Sequence, residues 1–176
     1  LLTGLATLIA KHAAEFSWSE IGVVFRWRQI PFYLLVGAVG LGLGIVERSL
    51  VTTLPYPTDP SDEFLPIVAG LGAVDDLFFQ GVLLEAARRA VGRLAVPFVA
   101  LTVGMLHIGF LSLPLGLCAV VIAGVFGVAR MTSGSLVGIL LGHVCLNLGL
   151  FVIGPEVAPL LAHGLRDAAV VALLAM

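Results

Sequence analysis

Residues 64–84 read FLPIVAGLGAVDDLFFQGVLL, an apolar run with two adjacent aspartates, Asp75 and Asp76, in its middle. The run is long enough to cross the hydrocarbon core of a bilayer, which takes about 20 residues of helix. An ionisable side chain at the bilayer centre costs roughly 2.5–3.5 kcal/mol even on the lenient insertion scale, and two neighbouring carboxylates also repel each other. The pair therefore indicates a functional site that faces a bundle interior or a wet cavity.

The whole chain has the composition of a membrane protein. It has 176 residues, of which 60% are hydrophobic and 11% are charged, and its mean hydropathy is +1.13. A soluble domain has about 45–50% apolar and about 25% charged residues. Because a soluble core could not hold this apolar excess, we predict an all-α fold, a polytopic transmembrane helical bundle. The net charge of −2 gives no reason to expect nucleic acid as a partner.

Apolar runs and the breaks between them predict about six hydrophobic segments. Residues 1–29 are predicted as an N-terminal partial span followed, from residue 11, by an interfacial helix rich in aromatic and basic residues. Residues 30–176 are predicted as the transmembrane domain. Its spans are predicted at residues 30–46, 65–84, 94–111, 115–129 and 136–153, and from 157 to the end. The chain opens inside an apolar run without an initiator methionine, so we expect an N-terminal part to be missing.

Basic residues predict the orientation in the membrane. If every span crosses, the basic loops fall on one side, whereas the acidic loop at residues 47–63 and Glu156 fall on the other. Loops rich in lysine and arginine face the cytoplasm. The residues predicted to be cytoplasmic on this ground are Arg88, Arg89, Arg93 and Arg130.

Two later spans carry polar residues at a similar depth. At 1.5 Å per helical residue, Asp75 and Asp76 lie roughly 15 Å from the end of their span, His143 roughly 12 Å and His107 roughly 20 Å. His143 and Asn147 are four residues apart and share a helix face. Taken singly, these residues fit structural roles as interhelical struts or ion pairs. Their common depth favours one shared site.

Three motifs in this order resemble those of the CPBP intramembrane proteases, also called the Abi or type II CAAX prenyl endopeptidase family. The family motifs are Glu-Glu-x-x-x-Arg, Phe-x-x-x-His and His-x-x-x-Asn or Asp. The matching positions are Asp75, Asp76 and Gln80 for the first motif, Val103 and His107 for the second, and His143 and Asn147 for the third. Order and spacing agree from about residue 64 to residue 150.

The resemblance implies a hydrolytic mechanism with water as the nucleophile. Asp75 and His107 would activate a water that attacks a peptide carbonyl. His143 and Asn147 would stabilise the resulting oxyanion, a task for preorganised donors in a dry site. The expected partners are the lipid bilayer and a membrane protein or peptide substrate.

The first motif departs from the family pattern at all three charged positions. Both glutamates are aspartates, and the arginine is Gln80, which with Asp76 would orient the site. In the second motif Val103 replaces the phenylalanine. An aspartate is one methylene shorter, and a general base must come within roughly 2.6–3.2 Å of its proton or act through a water. The alternative is therefore a catalytically degenerate relative that serves as a scaffold or accessory subunit among the partner subunits of a membrane complex.

Two further interpretations stay open. A divalent metal is possible as a cofactor, because carboxylate and imidazole ligands suit several cations; its ligands would be Asp75, Asp76, His107 and His143. A proton or ion pathway could use the same side chains, although the family resemblance does not support it.

The last prediction from the sequence concerns Arg166. It lies about eleven residues past Pro155, or roughly 16 Å into the final span if that span is a helix. We predict that it helps to balance the charge of Asp75 and Asp76. The alternative is that it pairs locally with Asp167 in a helix that lies at the interface.

Overall fold

The computed structural model describes residues 2–50, 64–110, 112–157 and 159–160. Within these residues the chain is helical and contains no strand. The described α-helices are α1 (Leu2–Ala13), α2 (Ile30–Leu50), α3 (Phe64–Asp76), α4 (Leu84–Val91), α5 (Ala95–Phe110), α6 (Leu113–Ser133) and α7 (Val137–Leu148).

Two π-helical segments continue the helices that carry the polar motifs. One spans Leu77–Leu83 and joins α3 to α4, and the other spans Gly149–Ile153 after α7. Hydrogen bonds in such segments run to the fifth residue, and these segments are found frequently at functional sites. The first begins directly after Asp76, and the second begins two residues after Asn147.

Four helical stretches are long and apolar enough to cross a membrane. They are Trp27–Leu50, Pro66–Gly109, Leu113–Ser133 and Val137–Val157. The second stretch contains two predicted spans, and the 3₁₀ turn Gly92–Leu94 separates them. The predicted all-α transmembrane bundle is confirmed. The predicted last span, from residue 157, lies almost entirely outside the described residues.

The interfacial helix predicted for residues 11–28 is wrong. Helix α1 ends at Ala13, and turns and extended chain follow until the 3₁₀ turn Trp27–Gln29. Ser17 and Glu20 form a turn in this segment. The Glu20 carboxylate accepts hydrogen bonds from the backbone N–H and the hydroxyl of Ser17, both 2.7 Å long, and the Ser17 hydroxyl accepts one from the backbone N–H of Glu20 at 3.2 Å. This reciprocal Ser-x-x-Glu pair is the arrangement that begins a helical turn, so a new turn starts at Ser17 and α1 does not continue.

The loop predicted at residues 47–63 was given too early a first residue, because residues 47–50 are still helical. Helix α2 continues to Leu50, and Glu47 is a buried residue of that helix with 9% of its surface exposed. Residues 46–48 are compatible with helix, and no glycine or proline interrupts the chain between Glu47 and Pro55. Residues 51–63 lie outside the described residues.

Glycines set the close packing of α2 on α7. A Cβ at Gly40 would collide with the carbonyl oxygen of Gly142, and one at Gly44 would collide with the carbonyl oxygen of Leu146. Small residues at this spacing let helix backbones approach each other closely. The spacing of Gly40 and Gly44 thus places the helix that carries His143 directly against α2.

Gly134 precedes Gly138 and Gly142 at four-residue spacing but lies outside the helix of His143. It ends α6 with a left-handed backbone, φ 68°, and its N–H donates to the carbonyl of Arg130. Helix α7 begins only at Val137. A left-handed residue after the last turn is a common helix end and favours glycine.

The basic residues of distant segments meet at one end of the bundle. Arg89 forms an ion pair with Glu20 at 2.5 Å. Arg130 donates to the backbone carbonyl of Glu20 at 2.8 Å, and Arg26 donates to the carbonyl of Ser133 at 3.2 Å. That this end faces the cytoplasm stays a prediction.

Candidate active site

A cavity of about 560 Å³ lies among α2, α3, α5, α6 and α7. The structure brings to its wall every described residue of the three motifs. These are Asp75, Asp76, Gln80, Val103, His107, His143 and Asn147. Their catalytic roles remain predictions. Arg166, predicted to assist them, lies outside the described residues.

The rest of the wall is mainly apolar. Five helices contribute to it, and its apolar members include Val68, Leu71, Phe79, Ile122 and Leu150. Ligand sites in proteins are commonly concave and apolar, with a few polar groups that fix the orientation of the ligand. The cavity has this form.

Asp76 and His143 are joined by a hydrogen bond across the cavity wall. The Nδ1 atom of His143 lies 3.0 Å from the Oδ2 atom of Asp76. Asp76 is 5% exposed, so its carboxylate is almost fully withdrawn from the surface. When the Asp76 carboxylate is ionised it can only accept a hydrogen bond, so the proton is then on Nδ1 and Nε2 is the other functional atom of the ring.

The imidazole of His143 packs into a notch over Gly72. A Cβ built at Gly72 would lie 2.6 Å from Nε2 of His143, so the ring occupies the space that a side chain there would need. Phe126 lies nearby, with its ring centroid 6.2 Å from that of the imidazole. The packing and the bond to Asp76 together fix the orientation of the ring.

His107 is held by its own helix. Its Nδ1 lies 2.9 Å from the carbonyl oxygen of Val103, one turn earlier in α5. A carbonyl oxygen accepts only, so Nδ1 carries the proton and, in the neutral ring, Nε2 carries the lone pair. Such a nitrogen can accept a proton from a water molecule. The residue at position 103 thus acts through its backbone, which a valine supplies as well as a phenylalanine.

Asp75 is exposed at the cavity. Within the described part of the chain it has no hydrogen bond or ion pair. Asp76, the next residue, is buried and bonded to His143. The two adjacent carboxylates therefore have different surroundings, and Asp75 is the more accessible of the two to a water molecule.

Asp76 and Gln80, which the resemblance implies would together orient the site, do not bond to each other in the described structure. Asp76 bonds to His143, and the side-chain amide of Gln80 donates to the carbonyl oxygen of Ala123 in α6 at 3.1 Å. The π-helical segment that starts after Asp76 widens the turn, so residues four apart no longer lie directly one above the other. Gln80 consequently contacts α6.

Asn147 is 5% exposed, and its amide nitrogen, Nδ2, has no acceptor among the described residues. The buried amide oxygen of Gln80 is also unpaired, because no donor among the described residues reaches it. A buried polar group without a partner costs about 1–3 kcal/mol. Both residues line the cavity, where a bound molecule can supply the missing partner.

No metal centre can be assigned among the described residues. There, no group of three or more histidine, cysteine, aspartate or glutamate side chains is arranged to hold a metal ion. Of the four residues considered as ligands, Asp76 and His143 contact each other. We assign no chemical step to a metal.

Glu47 and Gly72 are two of the cavity residues that the sequence did not predict. Glu47 lines the cavity from α2, and Gly72 makes room for His143. The signal for Glu47 was the absence of a helix breaker before Pro55. Nothing in the sequence distinguishes Gly72 from its neighbour Gly70, since only the packing of α7 on α3 decides which glycine is covered.

Fold and site together define an integral membrane protein with a polar constellation at an apolar intramembrane cavity. Residues 63–149 match the family model described as type II CAAX prenyl endopeptidase Rce1-like. Over these residues the chain is similar to this family, and it is a membrane protein of the CAAX-protease-like class. Comparison with curated proteins and with solved structures gave no match.

Proposed function

We propose that this chain is an intramembrane endopeptidase that uses water to cleave a peptide bond within or near the membrane. The observation that carries the proposal is the unpaired amide nitrogen of Asn147, a buried donor at the cavity. A substrate carbonyl that becomes an oxyanion would supply the acceptor this donor lacks. Donors that are already in place when the negative charge develops are a main source of catalysis in such reactions.

His143 supplies the second donor in this proposal. It precedes Asn147 by one helical turn and lines the same cavity. In this proposal Nδ1–H of His143 donates a hydrogen bond to Asp76, which orients the ring so that Nε2 can contact the substrate. When the ring carries both protons, Nε2–H donates to the oxyanion. Asp76 is thus a positioning residue, because it acts through His143.

Water activation falls to His107 and Asp75. The backbone of Val103 holds the Nδ1 proton of His107, so Nε2 accepts a proton as the water oxygen bonds to the carbonyl carbon. The exposed carboxylate of Asp75 accepts a hydrogen bond from the other O–H of the water and so orients it, without taking that proton. When the carbon–nitrogen bond breaks, the proton on His107 passes to the leaving amine.

The substrate class follows from the walls of the cavity and from the family. The apolar lining suits a peptide with apolar flanking residues, delivered from the lipid bilayer. The family description names prenyl endopeptidases, and a prenylated peptide would place an apolar chain against the same walls. We therefore propose a membrane-associated peptide as the substrate.

A specific observation also favours the alternative, a non-catalytic subunit of a membrane complex. Gln80 stands where the family pattern has an arginine, and its amide is bonded to Ala123. Asp75, one methylene shorter than the glutamate of the pattern, makes no bond within the described residues. In this alternative the cavity would receive a side chain of a partner subunit.

Cleavage by the purified full chain in lipid nanodiscs, tested against a peptide library drawn from membrane proteins, distinguishes the two functions. We expect cleavage, and we expect Asn147→Ala to lower kcat by about 10²–10³, as loss of one oxyanion donor does. Val144→Ala is the matched control, since Val144 adjoins His143 but is exposed outside the cavity. Equal rates for Asn147→Ala and the native chain would contradict the role of Asn147. Failure of the folded native chain to cleave any peptide would favour the complex subunit.

A further inference from the structure

A second cavity, of about 270 Å³, lies at the basic end of the bundle. Its charged walls are Glu20, Arg26, Glu85, Arg88 and Arg130. Gln80 lines both this cavity and the larger one and so stands between them. No other residue of the three motifs lines the second cavity. It is therefore a separate feature of the molecule.

The two carboxylates of this cavity already have cationic partners. Glu85 accepts hydrogen bonds from Arg88 at 2.8 and 2.7 Å and from Arg89 at 3.0 Å. Glu20 accepts one from Arg89 at 2.5 Å. Arg88 and Arg89 thus balance the charges of Glu20 and Glu85, so that these four side chains together are neutral.

Arg130 has no carboxylate partner within the described residues. It is 7% exposed, its Nη2 donates to the backbone carbonyl of Glu20 at 2.8 Å, and its buried Nε has no acceptor there. Its guanidinium lies directly on Gly22, where a Cβ would collide with it. Withdrawing a cation from water is costly unless an anion compensates it.

Arg26 is the second cation without a carboxylate partner in the described structure. Its Nη1 donates to the carbonyl of Ser133 at 3.2 Å, and its guanidinium lies against Gly134. Arg26 and Arg130 line the same cavity from the segment before α2 and from the end of α6. Arg26 and Arg130 are therefore the two cations of this cavity that have no carboxylate partner among the described residues.

We propose that this second cavity binds the phosphate group of an anionic phospholipid through Arg26 and Arg130. The planar guanidinium presents paired donors that match phosphate oxygens. The exposed aromatic residues Trp18, Phe25 and Trp27, on the segment that lines the cavity, are of the kind that lies at the level of the headgroups. Basic pockets between transmembrane helices bind lipid headgroups in this way. Free phosphate offers the same chemistry without the lipid.

The test uses the full chain in phosphatidylcholine nanodiscs or mild detergent, with native mass spectrometry to measure the binding of short-chain phosphatidylglycerol. We expect Arg26→Gln to weaken binding about fivefold or more, since a basic residue near a lipid surface contributes about 1 kcal/mol. Arg28→Gln is the matched control, because Arg28 is an exposed arginine two residues away that does not line the cavity. It should leave binding unchanged.

Arg130→Gln should have a larger effect than Arg26→Gln, but Arg130 is buried and its variant must first be shown to fold. Arg26 is exposed, so Arg26→Gln carries the test if Arg130→Gln does not fold. Equal losses for Arg26→Gln and Arg28→Gln, or no preference for phosphatidylglycerol over phosphatidylcholine, would overturn the site. The second arm of the test adds inorganic phosphate as a competitor of phosphatidylglycerol. Weak competition that is lost in Arg26→Gln supports a lipid as the occupant. Phosphate binding as tight as the binding of phosphatidylglycerol overturns the lipid as the occupant.

Discussion

Asp76 Oδ2 lies 3.0 Å from His143 Nδ1, and this hydrogen bond joins α3 to α7 beside the cavity. The bond gives a partner to a carboxylate that is nearly withdrawn from the surface. It also makes the orientation of His143 depend on α3 as well as on its own helix. Changes on α3 that do not touch Asp76 can therefore alter the site through the imidazole.

Gly72→Ala is expected to displace the ring of His143. The new methyl group would lie 2.6 Å from Nε2, a distance at which the ring must move, and overpacking of this kind costs typically about 1–3 kcal/mol. We expect at least about a tenfold fall in the cleavage rate, because sub-ångström misplacement of catalytic groups is costly. The measurement is the cleavage rate together with the thermal unfolding midpoint.

Gly70→Ala is the matched control for this variant. It makes the same substitution two residues earlier in α3, where a Cβ would meet nothing within 4 Å. Helix propensity favours alanine over glycine equally at both sites. If the two variants cleave at the same rate, the notch over Gly72 does not position His143.

Glu20 is expected to make the segment before α2 acid-sensitive. Hydrogen bonds from Ser17, assisted by Arg89, lower the pKa of Glu20 from 4.5 to about 2 in the folded chain. A carboxylate with a lowered pKa stabilises the fold at pH values above its unfolded pKa, and this contribution is lost as the pH falls from about 4.5 to about 2. Glu20→Gln should remove this pH dependence.

The two tryptophans of the chain, Trp18 and Trp27, lie on either side of Glu20 and report on this segment by their fluorescence. We expect the thermal unfolding midpoint of that signal to decrease as the pH is lowered from 6 to 2.5, and to decrease more steeply in the native chain than in Glu20→Gln. Glu15→Gln, a nearby change at an exposed glutamate, should behave as the native chain does. If the midpoint decreases with pH equally steeply in the native chain and in Glu20→Gln, a group other than Glu20 dominates the acid sensitivity of this segment.

Restoration of the family pattern is expected to raise turnover. Glutamate at positions 75 and 76 adds reach, and arginine in place of Gln80 adds the charge that the first motif usually carries. We expect the variant with Asp75→Glu, Asp76→Glu and Gln80→Arg to cleave faster than the native chain, as measured by kcat. If the native chain cleaves well and the restored one does not, the departures are adaptations of this chain and our account of them is wrong.

Arg89 and Ser61 are expected to lie on opposite sides of the membrane. Single cysteines at these positions, in a chain whose native Cys118 and Cys145 are replaced, should react with impermeant reagents added to opposite faces of sealed vesicles. Arg89 belongs to the basic end of the bundle, which the positive-inside rule assigns to the cytoplasm. Labelling of both cysteines from one face would mean that the spans are miscounted.

Arg166 stays predicted to couple to Asp76. A double-mutant cycle on Arg166→Ala and Asp76→Ala should give about 0.5–3 kcal/mol of interaction energy if the charges interact. The cycle on Asp76→Ala and His143→Ala is the internal reference, since those side chains are in contact. If the losses of unfolding free energy for Arg166→Ala and Asp76→Ala are additive, while those for Asp76→Ala and His143→Ala are coupled, the hypothesis is contradicted.

The sequence alone determined the class of fold and predicted which motif residues lie together. An apolar run of spanning length that shows no strand pattern forms a helix in a bilayer, because a helix satisfies its own backbone hydrogen bonds. The three polar motifs interrupt these runs at similar depths, so counting residues predicted that they line one cavity. The small residues Gly40 and Gly44 favour close helix packing, but only the structure shows that α7 is the partner helix.

Only the tertiary structure decided which side chains are partners. Asp76 bonds to His143 and Gln80 to Ala123, because a π-helical segment between Asp76 and α4 rotates Gln80 out of the register that a regular helix predicts. The segment around Glu20 and Arg26 meets α4 and the end of α6 through contacts between residues about 70 to 110 positions apart, and these contacts bring Arg26 and Arg130 to one cavity. Local patterns fix what a segment becomes, but the rotation of each helix about its axis is set by packing against its neighbours.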